Sequence, residues 1–202
     1  MNRVFYLFRH GETNWNIDRR CQGHTDIPLN ETGIRQALDL SEQLKSIPLQ
    51  KVFSSDLSRA SQTGHTVSSA LNIPIQFDSR LREMSYGDAE GMLFQNAIET
   101  FGEETWKKLM SFKKDYDSVS FPGGETRKAS RERFLQLINE ILLTTDYVHI
   151  GISTHGGALR NVIHHFLPED HPLLPIPNCV VYKLEYDGQT KLFTASAAPL
   201  FN

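Results

Sequence analysis

The chain has 202 residues, 39% of them apolar and 22% charged, with a formal net charge of -3. That is the make-up of a water-soluble globular protein of one-domain size, able to bury a core without disulfide or metal staples. A near-neutral charge with Lys and Arg spread along the chain excludes a nucleic-acid or anionic-membrane partner as the expectation, so any anion site must come from a local cluster. Cys21 and Cys179 stand far apart in no CxxC arrangement, which reads as two free thiols of a cytoplasmic protein. The N-terminal apolar run reaches Arg9 too soon for a signal peptide, and no stretch approaches transmembrane length.

In chain order, Val4–Phe8 reads as a buried strand. Asn30 is a good N-cap for a helix in which Ile34, Ala37, Leu38, Leu44 and Ile47 recur until Pro48. Residues 51–54 form a second short strand. Asp56 then caps a helix carrying Leu57, Ala60, Val67 and Leu71, which Asn72 and Pro74 end. Residues 75–77 form an edge segment, and 94–112 a helix with an aromatic face of Phe94, Phe101, Trp106 and Phe112. Phe121-Pro122-Gly123-Gly124 breaks the chain before a helix over about 125–143. Residues 148–153 make the next buried strand, Gly156-Gly157 opens a helix to about Phe166, and 179–186 with 192–197 form a hairpin around Asp187-Gly188.

Strands alternating with helices imply an α/β fold of three layers, α/β/α, with a mostly parallel central sheet. Ligands bind beyond the carboxyl ends of strands in such sheets. Two strand ends carry His-Gly: Arg9-His10-Gly11 after the first, and Thr154-His155-Gly156 after the one at 148–153. An imidazole can attack phosphorus and hold the phosphoryl group covalently, provided the attacking nitrogen is unprotonated. Gly11 would let the backbone approach an anion closely. Arg9 and Arg59 supply guanidinium for the equatorial oxygens, and His155, if protonated, a third cationic donor. Glu83 is the candidate proton donor for a leaving alkoxide, with Glu12 and Glu90 as competing carboxylates.

Arg9-His10-Gly11-Glu12-Thr13 with Trp15-Asn16 resembles the signature of the histidine phosphatase superfamily, the phosphoglycerate mutase-like proteins. Further segments carry the likeness over nearly the whole chain: Gln22-Gly23, Pro28 to Gly33, Ser54 to Ala60, Leu81-Arg82-Glu83 with Gly87 and Glu90-Gly91, and Thr154 to Gly157. The resemblance implies a phosphoglycerate mutase-like fold over 1–202, with a helical lid-like insertion around 92–122. It implies His10 as nucleophile, Arg9, Arg59 and His155 as phosphate ligands, and Glu83 as proton donor. Asn16, Gln22, Gly23, Gly11 and Gly156 are the expected phosphate or substrate contacts. Met84 and Ser85 follow Glu83, and 92–122 lacks the proline- and arginine-rich insert of the cofactor-dependent mutases, which favours the phosphatase branch. The expected activity is metal-independent hydrolysis of a small phosphorylated metabolite through phosphohistidine, with no cofactor. A phosphoglycerate mutase and a silent phospho-ligand binding module are the alternatives. No HExxH or Asp/His cluster suggests a metal. His24, Lys107 and Lys108 are open as substrate contacts, His164-His165 reads as a partly solvated helix face, and oligomeric state is open, a dimer included.

Overall fold

The computed structural model describes residues 1–201. Its strands are β1 (Arg3–Arg9), β2 (Lys51–Ser54), β3 (Ile75–Phe77), β4 (His149–Thr154), β5 (Val181–Tyr186) and β6 (Phe193–Ala195). They form one sheet in the order β3-β2-β4-β1-β5-β6. β1 runs parallel to β4, β4 to β2 and β2 to β3, while β5 and β6 add antiparallel.

β1 is apolar on both faces because the sheet is covered on both. Phe5 and Leu7 point into one core with Phe134, Leu137, Ile138 and Ile163. Tyr6 and Phe8 point the other way, onto Leu40, Leu44, Val52 and Val67. The first core belongs to α6 (Arg127–Thr144) and α7 (Gly156–His165), the second to α2 (Glu31–Leu44) and α3 (Ser58–Leu71). The result is the expected three layers. Truncating fully buried Phe8 to Ala would cost about 3–5 kcal/mol.

Three local expectations change. On α2 the buried stripe is Gly33, Ala37, Leu40, Ser41 and Leu44, leaving Ile34 and Leu38 more than half exposed. Asp56 does not cap α3, because its carboxylate is taken by Arg82 Nε at 2.7 Å. Asp26, from a distant loop, instead accepts from the Ser58 amide at 2.7 Å and from its hydroxyl. The span 94–112 is two helices, α4 (Phe94–Phe101) and α5 (Glu103–Met110), divided at Gly102, whose φ of +90° few other residues tolerate. These helices gather a third, smaller core of Ala97, Leu109, Phe121, Met84 and Cys21 beside the carboxyl ends of β1 and β4. A one-turn helix, α1 (Asn14–Ile17), completes the set. Among the described residues no helix is long and apolar enough to cross a membrane.

Candidate active site

The parallel strands β1 and β4 end side by side, with Arg9 in register with Thr154. That pairing brings His10 and His155 together, their rings edge to face with centroids 5.2 Å apart. A cavity of about 390 Å³ opens there. Its lining includes Arg9, His10, Asn16, Gln22, Arg59 and Glu83. Gly156 lines it as well.

His10 is almost wholly buried, and its Nδ1 lies 2.6 Å from the Gly11 carbonyl. A carbonyl can only accept, so Nδ1 carries the proton and Nε2 keeps a free lone pair. Burial, then the charges of Arg9 and Arg59, hold the imidazole well below its usual value near 6.5. Both effects keep the nucleophilic form.

Arg59 is fully buried, and each of its nitrogens is aimed by a fixed acceptor. Nε donates to His155 Nδ1 at 3.1 Å, and the terminal nitrogens to the carbonyls of Thr25 at 2.9 Å and Gly23 at 2.7 Å. Burial pulls its pKa down to about 10, which leaves it charged at neutral pH. Arg9 donates to the Ile176 carbonyl at 2.7 Å and holds a buried Nε with no partner among the described residues.

The condition set for His155, that it be protonated, is not met in this geometry. Its Nδ1 accepts from Arg59, so the ring proton sits on Nε2, which donates to Ser55 Oγ at 2.8 Å. Burial, Arg59 and His10 depress its pKa well below 6.5. The ring is neutral and acts as a rest for the Arg59 guanidinium.

Glu83 follows a short 3-10 turn at Ser79–Leu81 and is buried. Its carboxylate lies across the N-terminus of α7, a natural anion seat. Oε1 accepts from the amides of Met84 at 2.9 Å and Ala158 at 2.7 Å, and Oε2 from that of Gly157 at 2.8 Å. Oε2 therefore keeps one lone-pair position free for a proton. A Cβ on Gly157 would fall 2.6 Å from Glu83 Oε1, so any larger residue there displaces the carboxylate.

The remaining expected residues divide. Asn16, whose Oδ1 accepts from the Thr13 amide, lines the cavity with Gln22, whose buried Oε1 has no donor among the described residues. Gly11 and Gly23 do not line the cavity. Gly11 approaches the Gly33 backbone rather than an anion (a Cβ would lie 2.3 Å from the Gly33 carbonyl oxygen), and Thr63 Oγ1 takes its amide at 3.1 Å. Gly23 sits at φ +51° against the Glu90 carboxylate and offers its carbonyl to Arg59. Glu90 binds the His24 and Thr25 amides, both at 2.9 Å, and so fixes the loop that aims Arg59. Glu12 is spent on Asn30. His24 turns its Nε2 to the Glu83 carbonyl at 2.8 Å. Lys107 and Lys108 pair with Glu103 and Glu104 on α5, away from the cavity.

Sequence reasoning missed Asn178, which donates to the His10 carbonyl at 3.0 Å and to Asn16 Oδ1 at 3.3 Å. It also missed Arg127 and Arg160 in the cavity wall. For Asn178 no local signal exists; Arg160, five residues past His155 on the helix that Gly156 opens, could have been found by following that helix.

A three-layer α/β protein with two histidines at adjacent strand ends, and with guanidinium groups and a buried carboxylate lining the cavity beside them, has the layout expected of the histidine phosphatase superfamily. Comparison with known proteins agrees. The family model described as "Histidine phosphatase superfamily (branch 1)" matches residues 5–197, and the chain belongs to that family. "Probable phosphoglycerate mutase GpmB" of Proteus mirabilis is 32% identical over 188 residues, covering 91% of this chain and 85% of that protein. The solved structure of Bacillus stearothermophilus YhfR is 30% identical with a TM-score of 0.83, covering 96% of this chain and 95% of its own. The α-ribazole phosphatase from Shigella flexneri is 26% identical with a TM-score of 0.77, covering 96% and 97%. Mycobacterial glucosyl-3-phosphoglycerate phosphatase, solved with VO3, has a TM-score of 0.84 at 24% identity over 96% of each chain, a likeness of fold.

Proposed function

We propose that the protein is a metal-independent phosphomonoesterase that hydrolyses a small phosphorylated metabolite through a phosphohistidine at His10. The observation that carries this reading is the His10 tautomer: Nδ1 is tied to the Gly11 carbonyl and the lone pair of Nε2 faces the cavity among guanidinium groups.

In the first step Nε2 of His10 attacks phosphorus and the bond to the alcohol oxygen breaks, while Glu83 in its acid form passes the Oε2 proton to that oxygen. Arg9 and Arg59 take the charge on the equatorial oxygens, and the NH2 group of Asn16 and the amide of Gly156 add neutral donors. Gln22 Oε1, which lacks a donor, suits a substrate hydroxyl. In the second step the Glu83 carboxylate takes a proton from water, the oxygen attacks phosphorus, the N–P bond breaks, and phosphate leaves with His10 neutral again. Gly11, Gly23 and His155 serve this site by holding other groups. The helices α4 and α5 act as a lid that shapes the pocket for the alcohol portion.

The test is turnover of p-nitrophenyl phosphate in EDTA, with acid-labile phosphate trapped on the protein. Wild type should turn over and label, and His10→Ala should do neither. Activity that requires added metal would remove the metal-independent mechanism, and retained activity in His10→Ala would remove the nucleophile. The naming of the Proteus relative favours phosphoglycerate mutase as the second reading. Incubation with 3-phosphoglycerate and catalytic bisphosphoglycerate separates the two: phosphate release without isomer supports hydrolysis.

A further inference from the structure

Glu83 stands on a stretch with no regular structure of its own. Residues 82–86, between the 3-10 turns at Ser79–Leu81 and Gly87–Ala89, belong to no helix or strand, so their backbone groups must find partners elsewhere. Arg133 on α6 answers this segment twice: Nη1 donates to the Arg80 carbonyl at 2.6 Å and Nη2 to the Glu83 carbonyl at 2.8 Å. Its fork is set by Glu125, which accepts from Nε and Nη2, both at 2.8 Å. The Glu125 amide in turn closes on the Ser85 carbonyl at 2.9 Å. From the loop that aims Arg59, His24 Nε2 lies 2.8 Å from the same Glu83 carbonyl. A carbonyl only accepts, so Nε2 of His24 carries the proton. Two side chains from distant parts of the chain thus converge on one oxygen.

That oxygen belongs to the peptide unit whose other end is the Met84 amide, and the Met84 amide holds Glu83 Oε1 at 2.9 Å. A peptide unit is planar, so donors that fix its carbonyl also fix the direction of its N–H. Polarising the carbonyl further strengthens that N–H as a donor. We propose that Arg133 and His24 are positioning residues for the Glu83 carboxyl, acting through the 83–84 peptide; this rests on the reading of Glu83 as the proton donor at the His10 site. Neither side chain lines the cavity, so neither acts on substrate directly. An ion pair with Glu125 alone needs only the Nε and Nη2 edge of the Arg133 fork; Nη1 and the second Nη2 hydrogen go to the acid segment. His24 also joins this segment to the loop whose Gly23 and Thr25 carbonyls hold Arg59, so proton donor and phosphate clamp share one frame.

Leaving-group dependence of kcat/KM tests the role. Each variant is assayed on an alkyl phosphate, whose alkoxide needs the Glu83 proton, and on p-nitrophenyl phosphate, whose phenolate leaves with little help. Arg133→Lys keeps the charge beside Glu125 but cannot fork to both carbonyls. It and His24→Ala should each lose about 10- to 100-fold on the alkyl phosphate and less than about 3-fold on p-nitrophenyl phosphate. His24→Gln, whose NH2 group can stand in for Nε2, should recover most of the loss. In a Glu83→Gln background the same substitutions should cost less than about 3-fold further on either substrate, because the proton they position is gone. Should Arg133→Lys fail to fold, His24→Ala with its glutamine rescue, on a half-buried loop, carries the comparison. Equal losses on the two substrates, or none, in the folded variants overturn the proposal. Glu83→Gln alone is read in parallel: a substrate-dependent loss there without one in the Arg133 and His24 variants keeps the proton donor and removes the positioning, and no such loss in Glu83→Gln removes both.

Discussion

Gly157→Ala should separate catalysis from stability at a single methyl group. Gly157 lies in the first turn of α7, and alanine there is the better helix former by up to ~1 kcal/mol. The added Cβ, however, would stand 2.6 Å from Glu83 Oε1 and 2.9 Å from the Tyr86 hydroxyl, where ordinary contact begins at 3.4 Å. The Glu83 carboxyl must therefore retreat by roughly 0.8 Å, on the scale at which misplacing a reacting group loses about 100-fold in rate. Moving it also loosens the bonds from the Gly157 and Ala158 amides. A loss in kcat of about 10- to 100-fold is expected with a melting temperature near wild type. Two substrates identify the cause. An alkyl phosphate leaves as a basic alkoxide that needs the Glu83 proton, whereas p-nitrophenolate leaves with little help, so the alkyl phosphate should lose more. Equal losses on both substrates, or wild-type rates on both, would refute Glu83 as the displaced proton donor.

Three further outcomes follow from the same geometry. Glu90→Ala removes the acceptor for the His24 and Thr25 amides and frees the loop whose carbonyls aim Arg59, so kcat/KM should fall about 10- to 100-fold while far-UV dichroism is unchanged; an unaltered kcat/KM counts against this positioning. Burial and the charges of Arg9 and Arg59 depress His10, so the acid limb of kcat/KM should lie below pH 6.5, and a midpoint above that value contradicts the assignment. Burial, then His171 and the nearby arginines, hold His164 down to about 4. The unfolded imidazole binds its proton from about pH 6.5 downward while the folded one stays neutral, so stability falls as pH drops from 6.5 toward 4. His164→Phe should make that slope shallower in urea titrations by one histidine's share, with His10 and His155 still contributing theirs, and an unchanged slope would show that His164 does not contribute.

The parts of this molecule that were legible in the sequence are those set by neighbours along the chain. An apolar run between polar ends makes β1 a strand, and its end fixes where His10 stands. Asn30 caps α2 through its own side chain, accepting from the Gly33 amide at 2.8 Å. The illegible parts are those where distant segments compete. Gly33 must pass so close to the 11–12 backbone that a Cβ would sit 2.1 Å from the Glu12 carbonyl oxygen. That contact sets the rotation of α2, and it explains why Leu40 and Ser41 are buried while Ile34 and Leu38 face solvent. Asp56 is a good cap in isolation but loses to the fork of Arg82, and Asp26 crosses from another loop to take the vacated role.

Protonation was the least legible property of all, and His155 shows why. A histidine among groups suited to an anion suggests a cation when residue types alone are considered. Its charge is decided instead by what each ring nitrogen meets. Here a guanidinium N–H faces Nδ1 and a hydroxyl faces Nε2, in a setting with no solvent exposure and two further arginines. A second positive charge beside Arg59 would oppose it at hydrogen-bond distance, so the ring stays neutral and fixes the guanidinium direction. The same reasoning applied to Arg127 gives the opposite result, because a guanidinium cannot shed its proton at neutral pH. A histidine escapes burial among cations by becoming neutral. An arginine in that position keeps its charge, and the groups packed around it, here the Asp117 carboxylate at 3.8 Å and the Phe112 ring, must bear it.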